Sequence, residues 1–194
     1  MLLACLCSSA CTEKKPPIAP APGPEQVFAE CQEALNRKDW EACFNCVDPS
    51  EQDVLLVVAS IDATLAGMNR EKGQPGCLEI LERHGVRGEL PTESVNMADR
   101  EKMKELLVKP FAEVKDKSAL FKDLMDHVDA AGKLSECSVL SFIPSGVLSN
   151  LEVRTKGAKG DLTRPGQSKP QKIHFVLRDG KWKFYFGKFK GWPD

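Results

Sequence analysis

The stretch with the most suggestive chemistry is Cys43-Phe44-Asn45-Cys46, a Cys-x-x-Cys spacing found in redox pairs and in half of many zinc sites. A thioredoxin-type pair follows a strand and opens a helix, and here the pair falls inside a helical pattern. Zinc needs two more ligands. Cys31, Cys77, His84 and Cys137 are available, and none of them forms a second close pair. Cys31 and Cys43 also lie on apolar stripes, where a cysteine serves as a small core residue. An oxidising compartment offers a further outcome, a structural disulfide among Cys31, Cys43, Cys46, Cys77 and Cys137. These are five, an odd number, so at least one thiol stays unpaired within the chain.

Asp123 and His127 stand four apart on one helical face, which suits a salt-bridged, solvated surface better than a metal without a third ligand. His84 sits near a helix C-terminus, where a cation is favoured. His174 alternates with Ile173 and Phe175 on a strand and is expected to face solvent. No nucleophile elbow, phosphate loop, Rossmann glycine run or His-Glu-x-x-His is present, so no catalytic residue, metal site or cofactor is expected.

The elements that must position these residues divide into two halves. From Glu25 to about Gly132 helical signals dominate. Val27, Phe28, Cys31, Ala34 and Leu35 make a first apolar stripe, and Trp40, Cys43, Phe44 and Val47 a second. Asp48-Pro49-Ser50-Glu51 has the form of a capping box, with Asp48 as N-cap. It opens a helix whose stripe at Val54, Val58, Ile61, Leu65 and Met68 is expected to face the core. A short helix follows Pro75-Gly76 and stops at His84-Gly85. Two more fit around 95–108 and 111–130, divided at Pro110.

After Gly132 the period changes to that of strands. Glu136–Ile143 and 147–155 read as strands, "GAKGDLTRPGQSKP" as a long loop, and "KIHFVLRDGKWKFYF" as a hairpin turning at Asp179-Gly180. Helices first and an antiparallel meander second describe an α+β domain over 25–194. Within the hairpin Trp182, Phe184 and Phe186 share one face, and with Trp40 and Phe44 they are the candidates to line a pocket or fill the core. Lys181 and Lys183 share the other face. With Lys188 and Lys190 they form a basic patch that would suit an anionic lipid or envelope polymer, although such runs usually only solvate a surface.

The net charge of -1 argues against a dedicated nucleic-acid partner. It hides an asymmetry: residues 154–194 carry +8 and residues 1–153 carry -9. An apolar fraction of 42% suffices for a core, and no apolar run reaches the ~18–20 residues of a membrane-spanning helix.

The opening helix ending in "NRKDW", a second closing on "DP", and the hairpin "FVLRDGKWKFYF" resemble the nuclear transport factor 2-like (cystatin-like) fold. That resemblance implies a curved sheet of about four strands over a long helix, with a cone-shaped cavity beneath it. The helical residues 70–130 stand as an insertion. The fold implies little chemistry, because its members include enzymes, binding modules and tethered lipoproteins. Its isomerase-like members pair an acid–base residue with a tyrosine in an early helix; the single tyrosine here, Tyr185, lies in the last hairpin.

The start, "MLLACLCSSACTEKKPPIAPAPGPE", is similar to a bacterial lipoprotein signal. Cysteine follows small residues at Cys11, after Ser8-Ser9-Ala10, and at Cys5, after Leu2-Leu3-Ala4; either is a candidate for lipid attachment. No Lys or Arg precedes this stretch, so the expectation is a leader that begins further upstream or is clipped. Residues 12–24 form a proline-rich tether able to reach on the order of 40 Å in extended polyproline form. The sequence thus implies a lipid-anchored, exported domain of the cell envelope that works by interaction. The alternative is a binding protein or enzyme that uses the cone-shaped pocket.

Overall fold

A computed structural model describes residues 22–67, 76–86, 105–134, 145–166 and 169–186. The leader with Cys5 and Cys11, most of the tether, Met68, Cys137, the strand expected at Glu136–Ile143, Lys188 and Lys190 lie outside these. Helices α1 (Pro24–Asn36), α2 (Trp40–Asn45), α3 (Gln52–Gly67), α4 (Cys77–Arg83) and α5 (Lys117–Ala130) precede strands β1 (Val147–Val153), β2 (Gly157–Thr163), β3 (Gln171–Arg178) and β4 (Lys181–Tyr185). The strands pair antiparallel in chain order, an α+β fold.

The local signals explain most of these boundaries. Pro24 occupies the first turn of α1, which buries Val27, Phe28, Cys31, Ala34 and Leu35 as their spacing requires. Asp39 caps α2 by accepting the Ala42 N–H at 3.1 Å, and Asp116 caps α5 by accepting from Ala119 N–H at 2.9 Å. Gly85 adopts φ 77° after α4 and lets Val86 N–H reach back to the Leu81 carbonyl at 2.9 Å. Pro110 sits in a 3-10 turn, Lys109–Phe111, ahead of α5. Asp179 and Gly180, at φ 48° and 76°, make the hairpin turn between β3 and β4.

The core centres on α5. Leu120, Phe121, Leu124, Met125 and Val128 are completely buried between the other helices, so the helical segment read as an insertion supplies the middle of the molecule. The inner sheet face (Ala158, Leu162, Phe175, Trp182 and Phe184) completes one continuous hydrophobic cluster with them. No helix among the described residues is long and apolar enough to cross a membrane.

Four expectations are corrected. Residues 157–163 are not loop but β2, with Ala158, Asp161 and Leu162 buried between β1 and β3. Its loop-like composition has a packing reason at Gly160, where a Cβ would come within 2.7 Å of Leu148 Cδ1. Asp48 does not cap α3. Its backbone extends the sheet, with Asp48 N–H donating to the Phe184 carbonyl and Phe184 N–H donating to the Cys46 carbonyl, each at 2.8 Å. Its carboxylate accepts from Ser50 N–H at 3.1 Å and from Arg178 Nε at 3.1 Å, while Glu51 offers α3 its first carbonyl, to Leu55 N–H at 3.0 Å. His127 is buried beside Gly67 rather than solvated, and Asp123 pairs instead with His84 Nε2 at 2.9 Å. The fourth correction concerns the face of α3.

Candidate functional site

Helix α3 is apolar almost all round, so two faces compete for the core. The buried one is Leu55, Leu56, Ala59, Ala63 and Ala66, with Asp62 buried beside them. Its alanines let α3 approach α5 closely, and Lys117 Nζ from the start of α5 pairs with Asp53 Oδ1 at 2.6 Å. Of the large side chains expected in the core, Val58 packs at its edge, and Ile61 and Leu65 point away from it. Ile61 and Leu65 are 51% and 55% exposed, and Val54 and Val58 are half-buried. The steps between these four are four, three and four residues, the spacing of an a/d seam in a coiled coil.

The N-terminal end of this seam opens into a groove of about 280 Å³. Val54, Leu55 and Val58 form one wall, and Leu162, Ile173, Phe184 and Phe186 of the inner sheet face form the other. Phe186 is 48% exposed there, so it does not join the core as its alternation with Trp182 and Phe184 suggests. His174 and Lys172 also line the groove. His174 is half-buried rather than solvated.

The remaining aromatic candidates are core. Trp40 is buried and donates from Nε1 to Asp126 Oδ1 at 2.8 Å. Phe44 packs on Phe121 with ring centroids 5.3 Å apart, and Phe184 packs on Phe175 at 5.0 Å. Trp182 is buried opposite Leu177. The space a cone-shaped cavity would occupy is therefore largely filled, and the groove is what stays open at its α3 side.

The basic face is more constrained than its composition suggests. Lys181 is exposed, but Lys183 is half-buried and donates from Nζ to the Asn45 carbonyl at the end of α2. Both border a second cavity, of about 680 Å³, which Glu30, Glu33 and Asp179 share. On β2 and β3, Lys172 Nζ pairs with Asp161 Oδ1 at 2.6 Å. Lysine and asparagine hydrogen bonds hold the Asp161 carboxyl below its usual range.

The structure brings together thiols that spacing kept apart. Cys31 of α1 and Cys43 of α2 are 1% and 5% exposed, with their sulfurs 3.9 Å apart. Cys46, at the end of α2, donates its thiol to the Ala42 carbonyl at 3.3 Å and lines the second cavity. The hydrogen bond with Cys43 and the nearby Cys46 thiol, with burial, push the Cys31 thiol well up. The nearby Cys31 thiol lowers that of Cys46, and Lys183 adds to this against the opposing effects of burial, Glu30 and Asp39. Cys77 is elsewhere, its thiol donating to the Ser60 carbonyl at 3.4 Å and raised by burial. All four are free thiols. Among the described residues no group of three or more His, Cys, Asp or Glu side chains is arranged to hold a metal ion.

No protein-family model matches this chain, and no curated protein or solved structure matches it either.

Proposed function

We propose that the chain is a lipid-anchored, non-catalytic domain of the cell envelope that acts by interaction, and that the outward seam of α3 is where it does so. The observation that carries this reading is the line Val54, Val58, Ile61 and Leu65, half-buried at its first two residues and exposed at its last two. Four large aliphatic side chains at seam spacing gain little from water and fit the side chains of a facing helix. The partner that fits is an amphipathic helix with an apolar seam of its own. The leader-type residues around Cys11 and the proline-rich run behind them support the anchor, and the tether would let the seam reach a partner away from the membrane surface.

A photo-crosslinking residue at Ile61 or Leu65, in the tethered protein in its own cells, tests the seam. A discrete adduct is expected from both positions, lost when Val58→Glu is added and not formed from Glu152 on the sheet. Equal adducts from Glu152, or none from the seam, would overturn the reading; an adduct of twice the chain mass would identify the partner as a second copy. Metabolic labelling with a fatty-acid analogue tests the anchor: label should be lost with Cys11→Ala or Cys5→Ala, and its absence or its survival in the double variant rejects it.

The groove supports a second reading, a small apolar ligand held between Val58, Ile173 and Phe186 with His174 also lining the site. Its size lies just under the ~300–1,000 Å³ of most small-molecule sites. Saturable binding of an apolar fluorophore that is lost with Phe186→Ser, without loss of the seam adduct, would favour it.

A further inference from the structure

The second cavity, of about 680 Å³, is larger than the α3 groove and lies within the size range of small-molecule sites. Its walls come from different elements. α1 contributes Glu30, Glu33 and Arg37, a net charge of -1, and the β3–β4 hairpin contributes Asp179, Lys181 and Lys183, a net charge of +1. The cleft as a whole is neutral, so it favours neither a simple anion nor a simple cation. What it offers is a direction, with an acidic side on the helix and a basic side on the hairpin. Buried Val27, Ala34 and Trp182 reach the cavity between these sides and give it an apolar floor. The charges are not equally engaged. Arg37 pairs with Glu33 at 3.2 Å along α1, and Lys183 donates to the Asn45 carbonyl. Glu30 accepts from the neutral Gln26 amide at 3.0 Å, and Lys181 is exposed on the hairpin; neither forms an ion pair among the described residues.

We propose that this cleft binds a short zwitterionic peptide with an apolar middle, its amine toward Glu30 and its carboxylate toward Lys181. An extended tripeptide reaches roughly 10 Å, which suits a space of this size, and its central side chain would lie over Trp182. Both ionic contacts are made at exposed side chains, so each contributes modestly, and recognition depends on making the two together. The cleft lies between α1 and the hairpin, apart from the α3 seam, so the two sites can be tested independently.

The test titrates the full, isotope-labelled chain with the tripeptide Ala-Leu-Ala and with its N-acetyl and C-amide forms, followed by amide NMR. Saturable shifts are expected at Ala34, Gly180 and Trp182, and none at Ile61 or Leu65 on α3. Each capped form should bind about three- to fivefold more weakly, the size expected of one exposed ion pair. Glu30→Gln should weaken the free peptide to the same degree and leave the N-acetyl form no weaker than with the parent. Lys181→Gln should act in the same way on the C-amide form. Both substitutions are at exposed side chains, and the rest of each spectrum reports that the variant is folded. The proposal is overturned by the absence of saturable shifts or by shifts confined to other parts of the molecule. Capped forms that bind as tightly as the free peptide, or variants that bind it like the parent, overturn it as well.

Discussion

Helices α3 and α5 pack against each other and are both rich in aliphatic residues, yet they divide their side chains in opposite ways. α5 turns its bulk inward: Phe121, Leu124 and Met125 are completely buried, and Lys122 and Asp126 form an ion pair on its outer side at 2.6 Å. α3 turns inward its alanines, two leucines and Asp62, and leaves Ile61 and Leu65 outside. Two neighbouring helices cannot both insert large side chains in the gap between them, because interiors are close-packed. Once α5 fills that gap, the small face of α3 is the one that fits, and the larger face is left for something else. Hydrophobicity alone thus does not identify a core face; the volume already supplied by the neighbour does.

The sharpest way to break this contrast is at its packed side. Phe121→Ala removes a fully buried ring that packs on Phe44 and is expected to cost about 3–5 kcal/mol in urea denaturation. A cost under about 1 kcal/mol would mean that α5 is not the centre of the core.

A smaller effect belongs to Asp48, which ties β4 and Arg178 to the start of α3. Burial opposes its ionisation, and hydrogen bonds from Ser50 and Arg178 outweigh burial and lower its pKa. The folded value therefore lies below the unfolded one of about 3.9, so the carboxylate stabilises the fold above that pH. Its contribution fades as pH falls through the folded value. Asp48→Ala should cost about 1.5–3 kcal/mol at neutral pH and flatten the acid limb of the stability profile. An unchanged acid limb would assign that limb to other groups.

The boundary between the two helices is probed by Ala63→Leu. Ala63 is fully buried in the tight α3–α5 contact, and the larger side chain should cost about 1–3 kcal/mol by overpacking. Tolerance of leucine there would show that the two helices are not in close contact.

The sequence made some of this legible and not the rest, for physical reasons. The α1 stripe, the Asp179-Gly180 turn and the stop at Gly85 are local signals, written in a few residues and satisfied by backbone geometry. β2 was hidden because Gly157, Ala158 and Gly160 have loop-like composition, and only the strands on either side show why small residues belong there. The outward phase of α3 was hidden because both of its faces are apolar. Of the candidate site, the seam residues are all visible, but their spacing suits a core face equally well until the volume that α5 supplies is known. The thiol contact could not be read from spacing, since Cys31 reaches Cys43 only through the packing of α1 on α2.

The most direct test of the whole account is the stability of Ile61→Glu/Leu65→Glu measured by chemical denaturation. Two carboxylates on a solvent-facing seam should leave the unfolding free energy within about 0.5 kcal/mol per site of the parent, as for ordinary surface substitutions. The same variant should abolish the adduct formed from a crosslinker at Val54. If these residues instead pack inward, burying two charges will cost several kcal/mol or unfold the chain. That result would contradict the outward seam and, with it, the proposed way this domain works.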